Sequence, residues 1–282
     1  MSSESLASHS VLIRAVRADA ESMQSDRVAV EEPLEIRLSG PALPAQGTTL
    51  AITMRTPGAD GELACGFLLG EGIIRLRADV EGIAPLATDA NVICIQLRAG
   101  LAPALEQLKR NFYVSSSCGV CGKASIAAIN ALPLLPVTGT ASLDEALLRT
   151  LPARLRAGQP SFAQTGGLHA VGLFRFDGTL CCVYEDVGRH NAMDKVTGAQ
   201  FLAGHTPLSD CIAMLSGRAS FELLQKAMAA GISVVAAVGA PSSLAIDLAQ
   251  AAGITLIGFL RPEGYNIYTN GWRLSRGGGQ DT

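Results

Sequence analysis

The stretch CIAMLSGRASFELLQKAMAAGISVVAAVGAPSSLAIDLAQAAGITLIGF, residues 211–259, decides the fold class. Cys211 to Ser216 reads as a short apolar strand and Phe221 to Ala230 as a helix, with Gly231 as its stop. The pattern then repeats. Ile232 to Val238 is a buried strand, Ser242 to Ala252 a helix ended by Gly253, and Thr255 to Phe259 a third strand. Short apolar strands alternating with helices predict an α/β fold whose largely parallel sheet is covered on both faces. Ala227 to Ile246 holds 20 residues without a formal charge. Gly231, Gly239, Pro241, Ser242 and Ser243 interrupt it, so it reads as helix end, strand and turn rather than a membrane span.

Upstream, Leu168 to Phe176 and Thr179 to Tyr184 flank Asp177-Gly178, a hairpin signal. Ser142-Leu143-Asp144-Glu145 matches a capping box and opens a helix to about Arg156. Pro133, Pro136 and Gly139 mark a boundary. Before it, Leu34 to Leu38, Thr48 to Met54 and Asn91 to Arg98 alternate as half-buried strands do. Pro57-Gly58 forms a turn, Asp60 caps a helix through Leu63, Phe67 and Leu68, and Pro103 to Phe112 reads as an amphipathic helix. Residues 1 to about 27 read as polar and irregular.

Composition narrows the function. A chain of 282 residues, 48% hydrophobic and 17% charged, with mean hydropathy +0.30, can bury a large core. A net charge of -3 and a pI near 5.8 argue against a polyanion-binding surface, so no nucleic-acid partner is expected. The Ser-rich N-terminus carries Glu4 and shows no secretory pattern. Seven cysteines, two of them adjacent at Cys181-Cys182, do not suit a disulfide framework, and a cytoplasmic location follows.

Three features could carry chemistry. The loops after the three strands are Ser216-Gly217-Arg218-Ala219-Ser220, Val238-Gly239-Ala240-Pro241-Ser242-Ser243 and Phe259-Leu260-Arg261-Pro262-Glu263-Gly264. They stand where open α/β sheets bind ligands, and their Gly, hydroxyl and Arg content suits phosphates. No Walker or dinucleotide fingerprint accompanies them. The second feature is Glu185 to Lys195, where Asp186, His190 and Asp194 would share a face if helical. It admits metal or acid–base chemistry, but reads better as a helix start with acids answering the dipole and His190 orienting a loop or a ligand. His169 is a site wall or a satisfied strand residue.

The third feature is Ser115-Ser116-Ser117-Cys118-Gly119-Val120-Cys121-Gly122-Lys123. A Cys-x-x-Cys can hold structural zinc, form a redox dithiol or carry sulfur. No second pair at metal spacing exists, and no βαβ context precedes it. Lys123 and a following helix would favour a thiolate. Lowering a thiol pKa from about 8.5 to about 7 yields a net reactivity gain of only about threefold, once lower nucleophilicity is counted. Accessibility and a docking partner therefore matter more than activation.

Taken together, Cys118-Gly119-Val120-Cys121-Gly122, Glu185-Asp186-Val187-Gly188-Arg189-His190, Ser216 to Ser220, Gly258-Phe259 through Tyr268-Thr269, and Gly70-Glu71-Gly72-Ile73-Ile74 resemble the FdhD/NarQ family of formate dehydrogenase accessory sulfurtransferases. The resemblance implies a sulfur carrier that accepts sulfane sulfur from a cysteine desulfurase. It would pass that sulfur to the molybdenum bis(molybdopterin guanine dinucleotide) cofactor, a bound substrate, for the formate dehydrogenase catalytic subunit. Cys118 would hold the persulfide and Cys121 assist. Phe259, Leu260, Arg261, Pro262, Glu263 and Gly264 map onto the family's cofactor-binding stretch, joined by Ser216, Arg218 and His190; Arg218 and Arg261 suit its phosphates. No resident metal is expected.

The resemblance also implies a homodimer and a cytidine-deaminase-like three-layer α/β domain with an additional N-terminal α+β part. The expected divisions are 1–28, a flexible segment; 29–135, the N-terminal part ending in the Cys loop; 136–276, the α/β domain; and 277–282, a flexible tail. The deaminase zinc signature, His-x-Glu followed by Pro-Cys-x-x-Cys, is lacking. The alternatives are a zinc-stabilised chaperone of a nucleotide-like ligand, and a deaminase-like hydrolase using His190 and Glu185.

Overall fold

A computed structural model of the chain describes residues 7–18, 20–41, 43–44, 47–101, 136–137, 139 and 142–275. The Cys118–Cys121 loop, the helix expected at 103–112 and the 277–282 tail lie outside the described residues.

The alternating strands of the first half pair as their patterns demand. Strands β3 (Glu32–Ser39), β4 (Thr48–Arg55), β5 (Val80–Leu86) and β6 (Asp89–Leu97) form a sheet in the order β4-β3-β6-β5. On β3 the inward positions Leu34, Ile36 and Leu38 are fully buried, while their neighbours face outward, the period-2 signature of a half-buried strand. Helix α1 (Asp60–Gly70) follows. Asp60 does not cap it. Its carboxylate is taken by Arg55, at 3.0 Å to both oxygens, because that guanidinium is 2% exposed and cannot do without a charge partner.

Among the described residues the second half builds a six-stranded sheet in the order β13-β12-β11-β10-β8-β9. After the two-residue strand β7 (Leu143–Asp144), its strands are β8 (His169–Arg175), β9 (Leu180–Asp186), β10 (Cys211–Leu215), β11 (Val234–Ala237), β12 (Thr255–Arg261) and β13 (Gly264–Thr269). The expected hairpin at Asp177-Gly178 joins β8 to β9. The expectation of a largely parallel sheet is corrected: only β10-β11-β12 run parallel, and the other three pairings are antiparallel. The parallel strands are linked through helices α5 (Phe221–Ala229) and α6 (Ser243–Ala252). Short turns close β8–β9 and β12–β13, and a short turn can join only antiparallel strands.

Both faces of this sheet are covered. Ile212, Met214, Val234 and Ala236 pack under helix α2 (Glu145–Ala157) on Leu148, Leu151 and Leu155. The capping residue of α2 is Asp144, which accepts from the Ala146 N–H at 2.8 Å, rather than Ser142. The alternate residues Ala213, Leu215, Val235 and Ala237 face the other way. They join one core with α1, helix α4 (Arg189–Leu202), α5 and the inner face of the four-stranded sheet. The layers are therefore sheet, helices, sheet, helix. Within the helical layer α1 and α4 cross at Gly66 and Gly198. A Cβ at Gly66 would overlap the Asp194 carbonyl oxygen, and one at Gly198 the Glu62 carbonyl oxygen.

Residues 8–29, expected to be irregular, form a hairpin of β1 (Ser8–Arg17) and β2 (Ala20–Ala29). Its polar sequence hid alternation: Leu12, Val16 and Met23 project as exposed apolar side chains. It leans on the short helix α3 (Pro160–Thr165), where Ser8 bridges Arg27 and Gln164. No described helix is long and apolar enough to cross a membrane.

Candidate functional site

The three strand-end loops form one surface. Ala219 N donates to Ala240 O at 3.1 Å, Gly239 N to Gly217 O at 2.9 Å, and Phe259 N to Gly239 O at 3.1 Å. Gly239 is required there, because a Cβ would come within 3.0 Å of Arg218 Cα. Arg218 is exposed at the rim. Ser216 extends the sheet, its hydroxyl accepting from Ala170 N at 2.8 Å.

The Phe259–Gly264 stretch does several jobs. The register of β12 on β13 breaks between Gly258 and Arg261, and Phe259 sits in that bulge at φ 53 with its ring 46% exposed. The left-handed region is uncommon for a residue with a side chain, and here it turns Phe259 outward while its neighbour Leu260 turns in. Leu260 is fully buried in the α2-side core and anchors the stretch instead of facing a ligand. Arg261 donates from Nη1 to the Val238 and Leu260 carbonyls at 2.8 and 2.9 Å, and Arg149 donates to the Pro262 carbonyl at 3.3 Å.

The Glu185 to Lys195 run does not share one helical face. Glu185 and Asp186 end β9, and α4 begins only at Arg189, so successive side chains point to opposite sides of the sheet. Glu185 accepts the backbone N–H groups of Ser161 and Phe162 at 2.9 and 2.6 Å, fixing the start of α3. On the other side, fully buried Asp186 pairs with Lys195 at 2.7 Å and accepts from Gly188 N, Asn191 Nδ2 and Thr56 N. Asp194 pairs with Lys226 at 2.6 Å. Burial outweighs that attraction and holds its carboxyl up at about 6. Both aspartates weld layers together. His190 and Glu185 are not brought together, which removes the hydrolase geometry. No group of three His, Cys, Asp or Glu that could hold a metal occurs among the described residues.

His190 turns instead toward the loop before α5, with Nε2 3.3 Å from Ser220 Oγ and 3.5 Å from Glu222 Oε2. Its pKa is lowered by burial, which outweighs Glu222. Burial opposes ionising Glu222, but hydrogen bonds from His190 and its own backbone N–H keep it below the usual carboxylate range. His169, at the start of β8, is depressed by burial and then by Arg189, His190 and Arg218. Of these, Arg189 and Arg218 are the permanent charges bearing on the His169 imidazole. Arg189 Nε and Glu222 Oε1 are buried without a hydrogen-bond partner, and an added polar group would satisfy them.

A cleft of about 480 Å³ opens beside His169 and Ser216, walled by α2, α3 and Val238. Arg156, Gln159 and Phe162, which line it, escaped the sequence reading. Pro160, at the first helical position of α3, was the available signal.

The FdhD/NarQ family model matches residues 29–275. The chain belongs to the FdhD/NarQ family. Proteins named "Sulfur carrier protein FdhD" from Mycobacterium tuberculosis and Streptomyces coelicolor are each 46% identical to it. The first covers 93% of this chain and 97% of its own length, the second 92% and 93%. A protein of that name from Mycolicibacterium paratuberculosis is 49% identical, over 88% of this chain and 92% of its own. The same fold recurs in a crystal structure from Desulfotalea psychrophila described as a formate dehydrogenase accessory protein. Its TM-score is 0.74 at 23% identity, with 95% of this chain and all of that one covered. The mixed α/β architecture with several sheets is thus that of an FdhD/NarQ neighbour, and each stretch that carried the sequence resemblance lies within the matched residues.

Proposed function

We propose that the protein is a sulfur carrier serving formate dehydrogenase, with Cys118 as the persulfide-bearing thiol and Cys121 as its assistant. The observation that carries this reading is the near full-length 46% identity to proteins named sulfur carriers. Three of the five described cysteines are disfavoured as carriers by burial. Burial pushes the Cys65 thiol up to about 12 and Cys182 to about 11, and lifts Cys211 higher still, so these three supply almost no thiolate near neutral pH.

In the first step the Cys118 thiolate attacks the terminal sulfur of a cysteine desulfurase persulfide. A sulfur–sulfur bond forms on Cys118 as the donor's breaks, and the donor leaves as a thiolate. No external oxidant is needed. In the second, Cys121 attacks the inner sulfur of the Cys118 persulfide and releases hydrosulfide to the acceptor. The two thiols supply two electrons and end as a disulfide, which a dithiol reductant reopens.

The acceptor in this reading is molybdenum bis(molybdopterin guanine dinucleotide), bound as substrate over the strand-end loops. The orphaned Arg189 Nε, exposed Arg218 and the bulged ring of Phe259 suit its phosphates and planar rings. The reading extends to a cytoplasmic homodimer, for which the exposed apolar hairpin β1–β2 is support. It also extends to a cytidine-deaminase-like character for the six-stranded domain, supported by its mixed sheet with helices on both faces. The test is intact mass after incubation with a cysteine desulfurase and cysteine. One added sulfur is expected, and it should be lost in Cys118→Ala. An unmodified mass beside an active donor overturns the reading.

A further inference from the structure

Between α1 and β5 the chain leaves the core after buried Ile74 and returns to it at Val80. The residues that make the excursion, Arg75, Leu76, Arg77 and Ala78, are all exposed. A single 3-10 turn, Arg77–Asp79, closes this knuckle. Leu76 is 65% exposed and has an arginine on each side of it in the chain. A third arginine, Arg98 just after β6, joins them by bonding Asp79 of the same turn.

A single exposed leucine is ordinary on a protein surface. This one is held out by a rigid frame. Asp79 is 4% exposed, and its carboxylate accepts from Arg75 N, Leu76 N and Arg98 Nε, each at 2.9 Å. Asp79 N donates to Leu76 O at 2.9 Å, and Arg98 N to Asp79 O at 3.0 Å. Arg77 donates to two carbonyls, Val80 O at 2.7 Å and Leu202 O at the end of α4 at 3.3 Å, and neither neutralises its charge. Arg75 makes no ion pair among the described residues. Two carboxylates answer the three guanidiniums: Asp79, spent on the turn, and Glu81, which accepts from Gln96 and the Ala99 N–H. The face therefore keeps a positive balance around an apolar knob. A knob already fixed in place loses little conformational freedom when a partner covers it.

We propose that this knuckle is the docking site for the protein that donates the persulfide sulfur, with Leu76 entering an apolar pocket whose carboxylate rim meets Arg75, Arg77 and Arg98. The donor's identity rests on the sulfur-carrier reading; the chemistry of the face asks for an acidic protein surface. A net charge of -3 and a pI near 5.8 disfavour a nucleic acid there. One leucine is too little apolar surface to hold a membrane. Position selects the donor. Leu101 packs on the core, its N–H bonds Arg98 O at 3.3 Å, and the chain runs on from it to Cys118. A donor seated on the knuckle is thus held beside the root of the segment that carries the thiol. A thiol gains little from activation alone, and a docking contact supplies what activation does not.

Surface plasmon resonance of the full chain over an immobilised cysteine desulfurase, at low and high salt, tests it. Leu76→Ser should raise Kd about tenfold, the effect of removing a seated apolar anchor. Arg75→Glu should raise it by about as much, through slower association and a weaker salt dependence. Both side chains are exposed, so both variants keep the fold. Arg14→Glu, an exposed charge change on the β1–β2 hairpin, should bind as the wild type does. Wild-type affinity in both Leu76→Ser and Arg75→Glu overturns the proposal, as does a wild type that binds no desulfurase. Equal weakening in Arg14→Glu overturns it as an effect of overall charge. So does a loss confined to duplex DNA or phosphatidylglycerol vesicles with desulfurase affinity kept. The sulfur-carrier reading is judged separately, by whether Cys118 gains sulfur from a small-molecule polysulfide, a donor that needs no docking.

Discussion

Replacing Lys226 with methionine isolates the buried charge that ties α4 to α5. The Lys226 ammonium lies 2.6 and 2.8 Å from the two Asp194 oxygens, and both residues are more than 90% buried. Lys226→Met removes the cation while keeping most of the volume, and strands a carboxylate in the core. Removing one partner of a buried pair destabilises by about 3–5 kcal/mol when the remaining charge has no escape. Asp194 has an escape, because burial already holds its folded pKa at about 6, above the ordinary carboxylate range, and it must rise further without Lys226. At pH 8 the variant bears the full penalty or the work of protonation. At pH 5 the folded carboxyl is neutral, and the remaining loss is that of hydrogen bonds, about 1–2 kcal/mol.

The same pKa sets a trend in the wild type. Asp194 binds its proton more tightly folded than unfolded, so its contribution is complete below 3.8 and fades as pH rises through about 6. A difference of about two pKa units corresponds to about 3 kcal/mol. Urea unfolding of wild type, Lys226→Met and Asp194→Asn at pH 5 and 8 reads both effects. The Lys226→Met loss should be at least about 2 kcal/mol larger at pH 8, and Asp194→Asn should flatten the wild-type trend. Equal losses at the two pH values would refute the reasoning.

Other substitutions probe the packing and the cleft. Gly198→Ala should destabilise by about 2 kcal/mol or more in the same assay, because overlap with the Glu62 carbonyl outweighs the roughly 1 kcal/mol alanine gains in a helix. Stability within about 0.5 kcal/mol of wild type would mean the helices part freely. Glu185→Gln leaves one acceptor for two N–H groups, so amide exchange at Ser161 and Phe162 should accelerate while β10 and β11 stay protected. Metal analysis of purified protein should find no stoichiometric zinc; zinc lost on Cys121→Ala would favour the zinc-chaperone alternative.

What could be read in advance was local. Period-2 runs such as Leu34 to Leu38, the Asp177-Gly178 turn and the strand–helix rhythm of 211–259 are set by neighbouring residues, and all became the expected elements. The misses depended on burial and partners that only the assembled fold supplies. Arg55 stands only five residues before Asp60, but what seals it in comes from elsewhere in the fold, and nothing near Asp194 announces Lys226, 32 residues away. Helix α3 needs the Glu185 carboxylate, 24 residues downstream, to start where it does. The antiparallel flanks of the large sheet depend on which connection is a tight turn, and the hydrophobic pattern of a buried strand carries no direction.

The run from Glu185 to Lys195 shows why spacing misleads even where the residues matter. Four-residue intervals put Asp186, His190 and Asp194 together only if one helix contains all three. The chain changes from strand to helix between Asp186 and Arg189, and each side of that change is used. On the strand, adjacent acids part across the sheet: Glu185 goes to the cleft and Asp186 to the layer beneath. On the helix, Asp194 and Lys195 face inward to charges from other elements, while His190 reaches the loop before α5. A polar stretch of this kind serves the site chiefly by fixing what surrounds it. The buried aspartates hold α4 against its neighbours, and that placement sets where Arg189 and His190 meet the strand-end loops. A mutation at Asp186 would therefore weaken stability and ligand binding together, whereas one at exposed Arg218 should separate them.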